Sequence, residues 1–274
     1  MLQLERIYLY PVKGARRVSL KKSRVEVYGL QGDRRWMLVD AKGRAVSQRQ
    51  YAALALVHAR ITPTGLEFDV PDSKPLRVPR PEGSGVRIRT RIWSDTVDAL
   101  DGGEDAGAWF SRLLGAPCRL VYMDDGALRA VDTTYYALGG SASFSDGYPL
   151  LLTSTASLEM LNGHLAEPVA MTRFRPNLVI KGGKPFDEDS WSRVRIGSMV
   201  FHVVKPCTRC VVTTVDQETG VQGKEPLRTL NLIRRRGGNV FFGENLIPDD
   251  TGILRVGDAV EVVARRTEWP IRTD

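Results

Sequence analysis

Cysteine and histidine are scarce in this chain, with three of each among 274 residues. Cys118, Cys207 and Cys210 are too few, and odd in number, for a disulfide framework; they fit a reducing compartment, read here as the cytoplasm. His58, His164 and His202 lie far apart in sequence. His164 ends a helical stretch and His202 alternates along a strand, so both read as structural. No apolar run approaches the roughly 20 residues needed to cross a bilayer. The opening MLQLERIYLYPVK carries Glu5 and Arg6 inside its apolar stretch and reads as a first strand, not as a secretory signal or membrane anchor. Also missing are a G-x-x-x-x-G-K-[ST] phosphate loop, a G-x-G-x-x-G between strand and helix, and a G-x-S-x-G elbow. Phosphoryl transfer, hydride transfer on a doubly wound sheet and triad hydrolysis all lose ground.

Charge is unbalanced in the other direction. Lys and Arg number 39 against 32 Asp and Glu, a formal net charge of +7. Such an excess favours an anionic partner: nucleic acid, an acidic membrane surface or a phosphate-bearing cofactor. The basic residues are scattered, however, and the longest cluster is Arg234-Arg235-Arg236. With no recognition-helix pattern, zinc-finger spacing or RNA-binding signature, nucleic acid is not expected.

Most of the chain reads as β-structure. In residues 194–204, Val194 and Ile196 precede Gly197-Ser198, and Met199, Phe201 and Val203 follow. That period of two on both arms predicts a hairpin. RRWMLVD–AKG–RAVSQ repeats the pattern around Lys42-Gly43, and residues 86–101 form another strand pair. Gly257-Asp258 marks a bend between short apolar runs. Two helices stand out. Residues 104–114 place Ala106, Trp109, Phe110, Leu113 and Leu114 at helical spacing, and residues 154–165 align Leu158, Leu161 and Leu165 behind an N-cap at Ser154 or Thr155. Residues 124–148, poor in aliphatics, form a long loop of the kind that is often functional. The expectation is a mainly β, barrel-like protein with a few helices, divided into 1–123 and 124–268.

The chemistry concentrates in Lys205-Pro206-Cys207-Thr208-Arg209-Cys210, followed by VVTTVDQETG. A C-x-x-C pair has several readings. It can be half a zinc site, although Cys118 and distant histidines complete the set poorly. It can be a thiol–disulfide pair, although such pairs favour a helix N-terminus and here a strand precedes and a β-branched run follows. Both cysteines can simply be small buried hydrophobes. Finally, Lys205 and Arg209 would favour a thiolate, a good ligand for a thiophilic metal. On a strand the two cysteines need not face the same way, so one can bind while the other packs.

Seven segments, in order, resemble the MOSC family, in particular the branch containing the amidoxime-reducing component and related bacterial detoxifying proteins. They are LYPVKG (9–14), GDRRWMLVD (32–40), FSDGYPLLL (144–152), RFRPNLVI (173–180), EDSW (188–191), CTRCVVTTVDQETG (207–220) and RVGD (255–258). Together they cover nearly the whole chain. The resemblance implies a MOSC β-barrel with an N-terminal β-rich MOSC-associated domain, and a molybdenum–molybdopterin cofactor. Pyridoxal phosphate binding is a secondary description attached to the family. Cys210 matches the protein's sulfur ligand to molybdenum. Lys13, Arg34, Asp146, Arg175, Asn177, Thr208, Arg209 and Asn245 match cofactor contacts, as do Gly14, Gly147 and Tyr148. At the last three positions relatives often carry hydroxyl side chains, so any contact there falls to the backbone. Arg35 is read as a surface residue.

The implied activity is reduction of small N-hydroxylated compounds (hydroxylamines, amidoximes, N-hydroxylated bases) to amines. Three cysteines cannot hold a Cys₄ iron–sulfur cluster once Cys210 is committed. Electrons are therefore expected from a separate ferredoxin, flavoprotein or cytochrome-type reductase. The competing classes are a non-catalytic carrier or sensor of the cofactor, and a zinc or thiol-redox protein using Cys207 and Cys210.

Overall fold

Leu150 and Leu152, Leu178 and Ile180, Val194 and Ile196, and Met199, Phe201 and Val203 are spaced by two, and all are buried in one apolar core. Alternate side chains of a strand face opposite sides, so a single buried face follows from that spacing. The computed structural model describes residues 1–270 apart from 72 and 128. In it these strands form one sheet. Its order is Val18–Leu20, Gln3–Leu9, Leu178–Lys181, Leu150–Ser154, Asn239–Pro248, Met199–Thr208, Trp191–Ile196 and Val260–Arg265. The sheet curls until its ends meet. Leu4 N donates to Asp258 O at 2.9 Å, Gly257 N to Leu4 O at 2.8 Å and Val260 N to Leu2 O at 3.1 Å. Closure removes the open edges that would otherwise template aggregation.

Two strands from the start of the chain, Gln3–Leu9 and Val18–Leu20, thus complete a barrel whose other strands come from the chain's second half. Lys22–Glu26 likewise pairs with Gly252–Arg255. Among the described residues, the barrel's parallel pairing joins Leu150–Ser154 and Leu178–Lys181. Parallel neighbours require a crossover, and helix Thr155–Asn162 lies on that connection. The helix starts where the sequence places it, with Ser154 Oγ accepting from Ser157 N at 3.1 Å. It ends earlier than expected, at Asn162 before Gly163, yet Leu165 still packs beside Leu158 and Leu161 in a layer outside the barrel. Helix Leu227–Ile233, which joins the same layer, had no legible signal in the sequence.

A second sheet runs Arg87–Ile92, Asp95–Asp101, Cys118–Tyr122, Trp36–Asp40 and Ala45–Val46. Helix Glu104–Leu114, found as expected, packs Trp109 and Phe110 edge-on to one another and Phe110 edge-on to Phe68, with centroids 4.8 and 5.0 Å apart. Phe68 belongs to a three-stranded sheet of His58–Thr62, Gly65–Asp69 and Leu76–Pro79. Among the described residues no helix is long and apolar enough to cross a membrane.

Asn177 staples the barrel. Its Oδ1 accepts from Leu151 N at 3.2 Å and its Nδ2 donates to Tyr8 O at 3.2 Å, tying the strands on either side of its own. Inside one end of the barrel sits a polar cluster. Glu188 accepts from Ser157 Oγ at 2.6 Å and Ser154 Oγ at 3.2 Å, and among the described residues Glu244 has no hydrogen-bonding partner, with Arg266 Nη2 standing 3.5 Å from its Oε2. Burial pushes the Glu188 carboxyl from 4.5 up to about 7, and Glu244 well above its ordinary value. A carboxyl neutral in the fold but ionised in the unfolded chain adds stability below about pH 4.5 that is lost as pH rises towards 7.

Two measurements check these points. Asn177→Ala is expected to cost about 2–4 kcal/mol in urea unfolding of cofactor-free protein, because buried Tyr8 O and Leu151 N lose their partner. A cost under about 1 kcal/mol would remove the staple. The fall in stability between pH 5 and 8 should shrink in Glu188→Gln, by at most about 3 kcal/mol at about 1.4 kcal/mol per unit of displacement. An unchanged pH slope would show that Glu188 titrates normally.

Candidate functional site

The segment 9–14 leaves the barrel and crosses to the second sheet. Lys13 N donates to Trp36 O at 2.8 Å and Trp36 N to Pro11 O at 3.1 Å. Arg34 lies alongside, its N donating to Tyr10 O at 2.6 Å. Buried Asp33 accepts from Tyr10 N at 2.8 Å and pairs with Arg34. Arg34 then donates from Nη1 to Asn177 Oδ1 and from Nη2 to Arg175 O, both at 3.0 Å. Arg34 and Arg175 both have left-handed backbones, with φ of +49° and +54°. Such conformations are strained for non-glycine residues and persist only where the surroundings hold them. Here both guanidinium groups sit over the Tyr10 ring, 4.5 and 4.3 Å from its centroid.

A cleft of about 830 Å³ opens between these elements and the strand ending at Thr208. Lys13 lines it, donating from Nζ to Phe144 O at 2.9 Å and to Asp146 Oδ1 at 2.5 Å. Desolvation in the cleft wall opposes ionisation of Asp146, but Lys13, then Arg49 and Arg34, overcome it and hold the carboxyl well below its usual range. Burial lowers the Lys13 ammonium, with Asp146 opposing. Arg129, buried behind the loop, shapes it by donating to Ser143 O, Ser145 O and Asp146 O at 3.0, 2.7 and 3.0 Å.

Cys210 follows the strand and caps a single 3₁₀ turn, Val211–Thr214. The β-branched run that follows the motif therefore turns as 3₁₀ and does not prolong the strand. Thr213 N and Thr213 Oγ1 both donate to Cys210 O, at 3.1 and 3.0 Å, which bends the chain. The cation on the sulfur is not one of those expected. Arg49 Nη2 donates to Cys210 Sγ at 3.3 Å and stands 3.9 Å from Asp146 Oδ2. Lys205 instead lies 4.1 Å from the Tyr135 ring centroid. Arg209 turns to the backbone, donating from Nε to Phe242 O at 2.8 Å and from Nη1 to Phe174 O at 3.0 Å. The thiol of Cys207 is raised by burial, with Arg209 opposing, and donates weakly to Thr208 O at 3.6 Å.

All the residues singled out from the sequence line this one cleft. Their hydrogen-bonding duties differ. Asn177 and Arg209 are occupied by the protein's own groups. Asn245 Nδ2 donates to Lys205 O at 3.0 Å, and Tyr148, mostly buried, donates to Asp132 O at 3.3 Å. Gly14 needs its residue type, for its φ is +85° and a Cβ would come within 3.3 Å of Leu54 Cδ1. Gly147 faces open space, with nothing within 4 Å of where a Cβ would stand. Thr208 is exposed. Arg175 differs from the other arginines. Burial lowers its guanidinium to about 10, and among the described residues Nη1 reaches only Gln217 Oε1 at 3.3 Å and buried Nη2 has no partner. Ser145 Oγ is likewise buried and unpartnered.

Arg35 corrects the expectation of a surface residue. It is 6% exposed, donates to Met123 O at 2.7 Å and Asp125 Oδ1 at 2.8 Å, and lies near the Tyr28 and Tyr122 rings. Its bonds to Met123 O and Asp125 Oδ1 anchor residues 123–125. Sequence reading missed Arg49, Arg129, and the Gln48–Gln217 amide pair, whose Gln48 Nε2 also donates to Gly14 O at 2.7 Å. No spacing rule marks them, because each acts on a segment far away in the chain.

Residues 1–117 match the MOSC N-terminal beta barrel domain and residues 139–261 the MOSC domain. A mitochondrial amidoxime-reducing component 1 from Mus musculus is 32% identical over 281 residues, covering 94% of this chain and 82% of its own. The protein of that name from Xenopus laevis is 30% identical, covering 96% and 82%. Among solved structures, the YUAD protein of Bacillus subtilis aligns over 95% of this chain and 94% of its own, at 8% identity and a TM-score of 0.41. The chain belongs to the MOSC family, among relatives that include the mitochondrial amidoxime-reducing components.

Proposed function

We propose that the cleft holds a molybdenum–pterin cofactor and that the protein reduces N-hydroxylated compounds to amines. The observation that carries this reading is a thiol, Cys210, in a cleft whose cations outnumber its carboxylates and whose buried Arg175 Nη2 lacks a partner among the described residues. A buried guanidinium donor without an acceptor costs free energy unless a ligand supplies one. An anionic, phosphate-bearing pterin fits that need, and guanidinium forks suit phosphate oxygens. The similarity to mitochondrial amidoxime-reducing components supports the substrate class.

In this reading Cys210 Sγ binds the metal, and Arg49 fixes where that sulfur points. Arg175 Nη2, Lys13 and Ser145 Oγ are the donors for the pterin and its phosphate, with backbone N–H groups at Gly147 open to approach. The bound cofactor supplies the two electrons that cleave the N–O bond. The balance is R–NH–OH + 2e⁻ + 2H⁺ → R–NH₂ + H₂O. Asp146, held ionised by Lys13, accepts hydrogen bonds from substrate N–H or O–H groups and does not donate the proton. Solvent reaching the open cleft delivers protons. Electrons come from a separate redox protein in this reading, Cys118 and Cys207 being too few for a Cys₄ iron–sulfur cluster. The zinc alternative lacks a ligand set: among the described residues no three His, Cys, Asp or Glu side chains are placed to hold a metal.

The test uses protein made in a host that builds the cofactor, with an artificial electron donor and a simple amidoxime. Multiple turnovers are expected, with molybdenum bound. Cys210→Ser should lose turnover to background, while Cys207→Ser largely preserves it. Equal loss in both, with the fold intact, points to a paired-cysteine function. Cofactor retention without turnover by the native protein points to a carrier.

A further inference from the structure

Trp93 is out of place for a tryptophan. It sits in the turn between Arg87–Ile92 and Asp95–Asp101, is 54% exposed, and has a left-handed φ of +55°. Bulky residues rarely adopt that conformation without a constraint that rewards it. The turn is tied down on both sides. Arg91 Nε donates to Trp93 O at 3.1 Å. Arg129 Nε donates to Asp95 Oδ2 at 2.7 Å, and the same guanidinium holds the backbone of Ser145 and Asp146. The turn and the Asp146 loop are therefore one rigid wall of the cleft.

The indole is also held. Arg49 lies over it, 4.4 Å from the ring centroid, and the same guanidinium donates to Cys210 Sγ. A chain of three groups thus runs from the sulfur through one guanidinium to a half-open aromatic ring, and Trp93 lines the cleft with Arg49 and Cys210. An exposed ring fixed this way keeps a π-surface for a flat partner, with little side-chain entropy left to lose. Asp146, whose Oδ2 is 3.9 Å from the same Arg49 guanidinium, supplies an acceptor for the N–H and O–H edge of such a partner.

We infer that Trp93 is the specificity-determining residue of this cleft, stacking on the conjugated plane of aromatic amidoximes and N-hydroxylated bases. The inference rests on the reading of the cleft as an N-reductase site. Arg49 acts as the positioning residue that supports the ring.

The test compares benzamidoxime with acetamidoxime, which share the reacting group and differ in the aromatic plane. Native protein, Trp93→Ala and Trp93→Phe are matched for molybdenum content and for folding by circular dichroism. In Trp93→Ala the kcat/KM preference for benzamidoxime should fall roughly tenfold, the scale of one lost stacking contact, and through KM more than kcat. Trp93→Phe should restore most of the preference. Binding gives a second readout: benzamidoxime should quench tryptophan fluorescence, and most of that quench should vanish in Trp93→Phe. A preference retained in Trp93→Ala, or a quench unchanged in Trp93→Phe, would overturn the assignment and leave the N-reductase reading standing. Native protein that binds molybdenum yet reduces neither compound would overturn both.

Discussion

Positive charge gathered where water is partly excluded is the constraint around which this molecule is arranged. Arg34 is matched by Asp33, and Lys13 by Asp146. Among the described residues Arg175 pairs with no carboxylate, and Arg49 has only a distant share of Asp146 and the Cys210 thiol. Burying a guanidinium away from water is unfavourable and a like charge beside it adds to the cost. The guanidinium of Arg175 is lowered by burial first and then by Arg34. The protein alone leaves the deficit of negative charge standing. In the proposed reading an anionic cofactor removes it, with the Cys210 sulfur at the metal end of the same ligand.

The barrel makes the gathering possible. Its first strand comes from the start of the chain, so the segment that follows, 9–14, leaves the barrel at the cleft. Arg34 returns to the same place because its backbone bonds to Tyr10. Left-handed turns at Arg34 and Arg175 bring both guanidinium groups onto one tyrosine ring. Behind them Asn177 and Arg209 spend their hydrogen bonds on backbone groups, so the cleft wall is stiff before any ligand arrives. That rigidity keeps Arg49 aligned between the sulfur and Trp93.

Much of this was legible in the sequence. Period-two alternation around Gly197-Ser198 and Lys42-Gly43 located two hairpins, and the helical spacing of Ala106, Trp109 and Phe110 located a helix with correct ends. Motif segments pointed to the cleft. Four things were not legible, each for a physical reason. Arg35 looks like any surface arginine, because only tertiary contacts with Tyr28, Tyr122 and Asp125 bury it. The Val211–Val215 run has strand composition, but the bonds from Thr213 to Cys210 O turn it into 3₁₀. Lys205 and Arg209 adjoin Cys210 in sequence yet point elsewhere, while Arg49 arrives from far away in the chain. Helix Leu227–Ile233 is too short to declare a period.

Molybdenum K-edge X-ray absorption on protein loaded with cofactor is the most direct measurement, because it counts the sulfurs around the metal. One sulfur neighbour fewer is expected in Cys210→Ser than in the native protein, with molybdenum still present in both. An identical sulfur shell in the two would contradict the assignment of Cys210 as the protein's ligand.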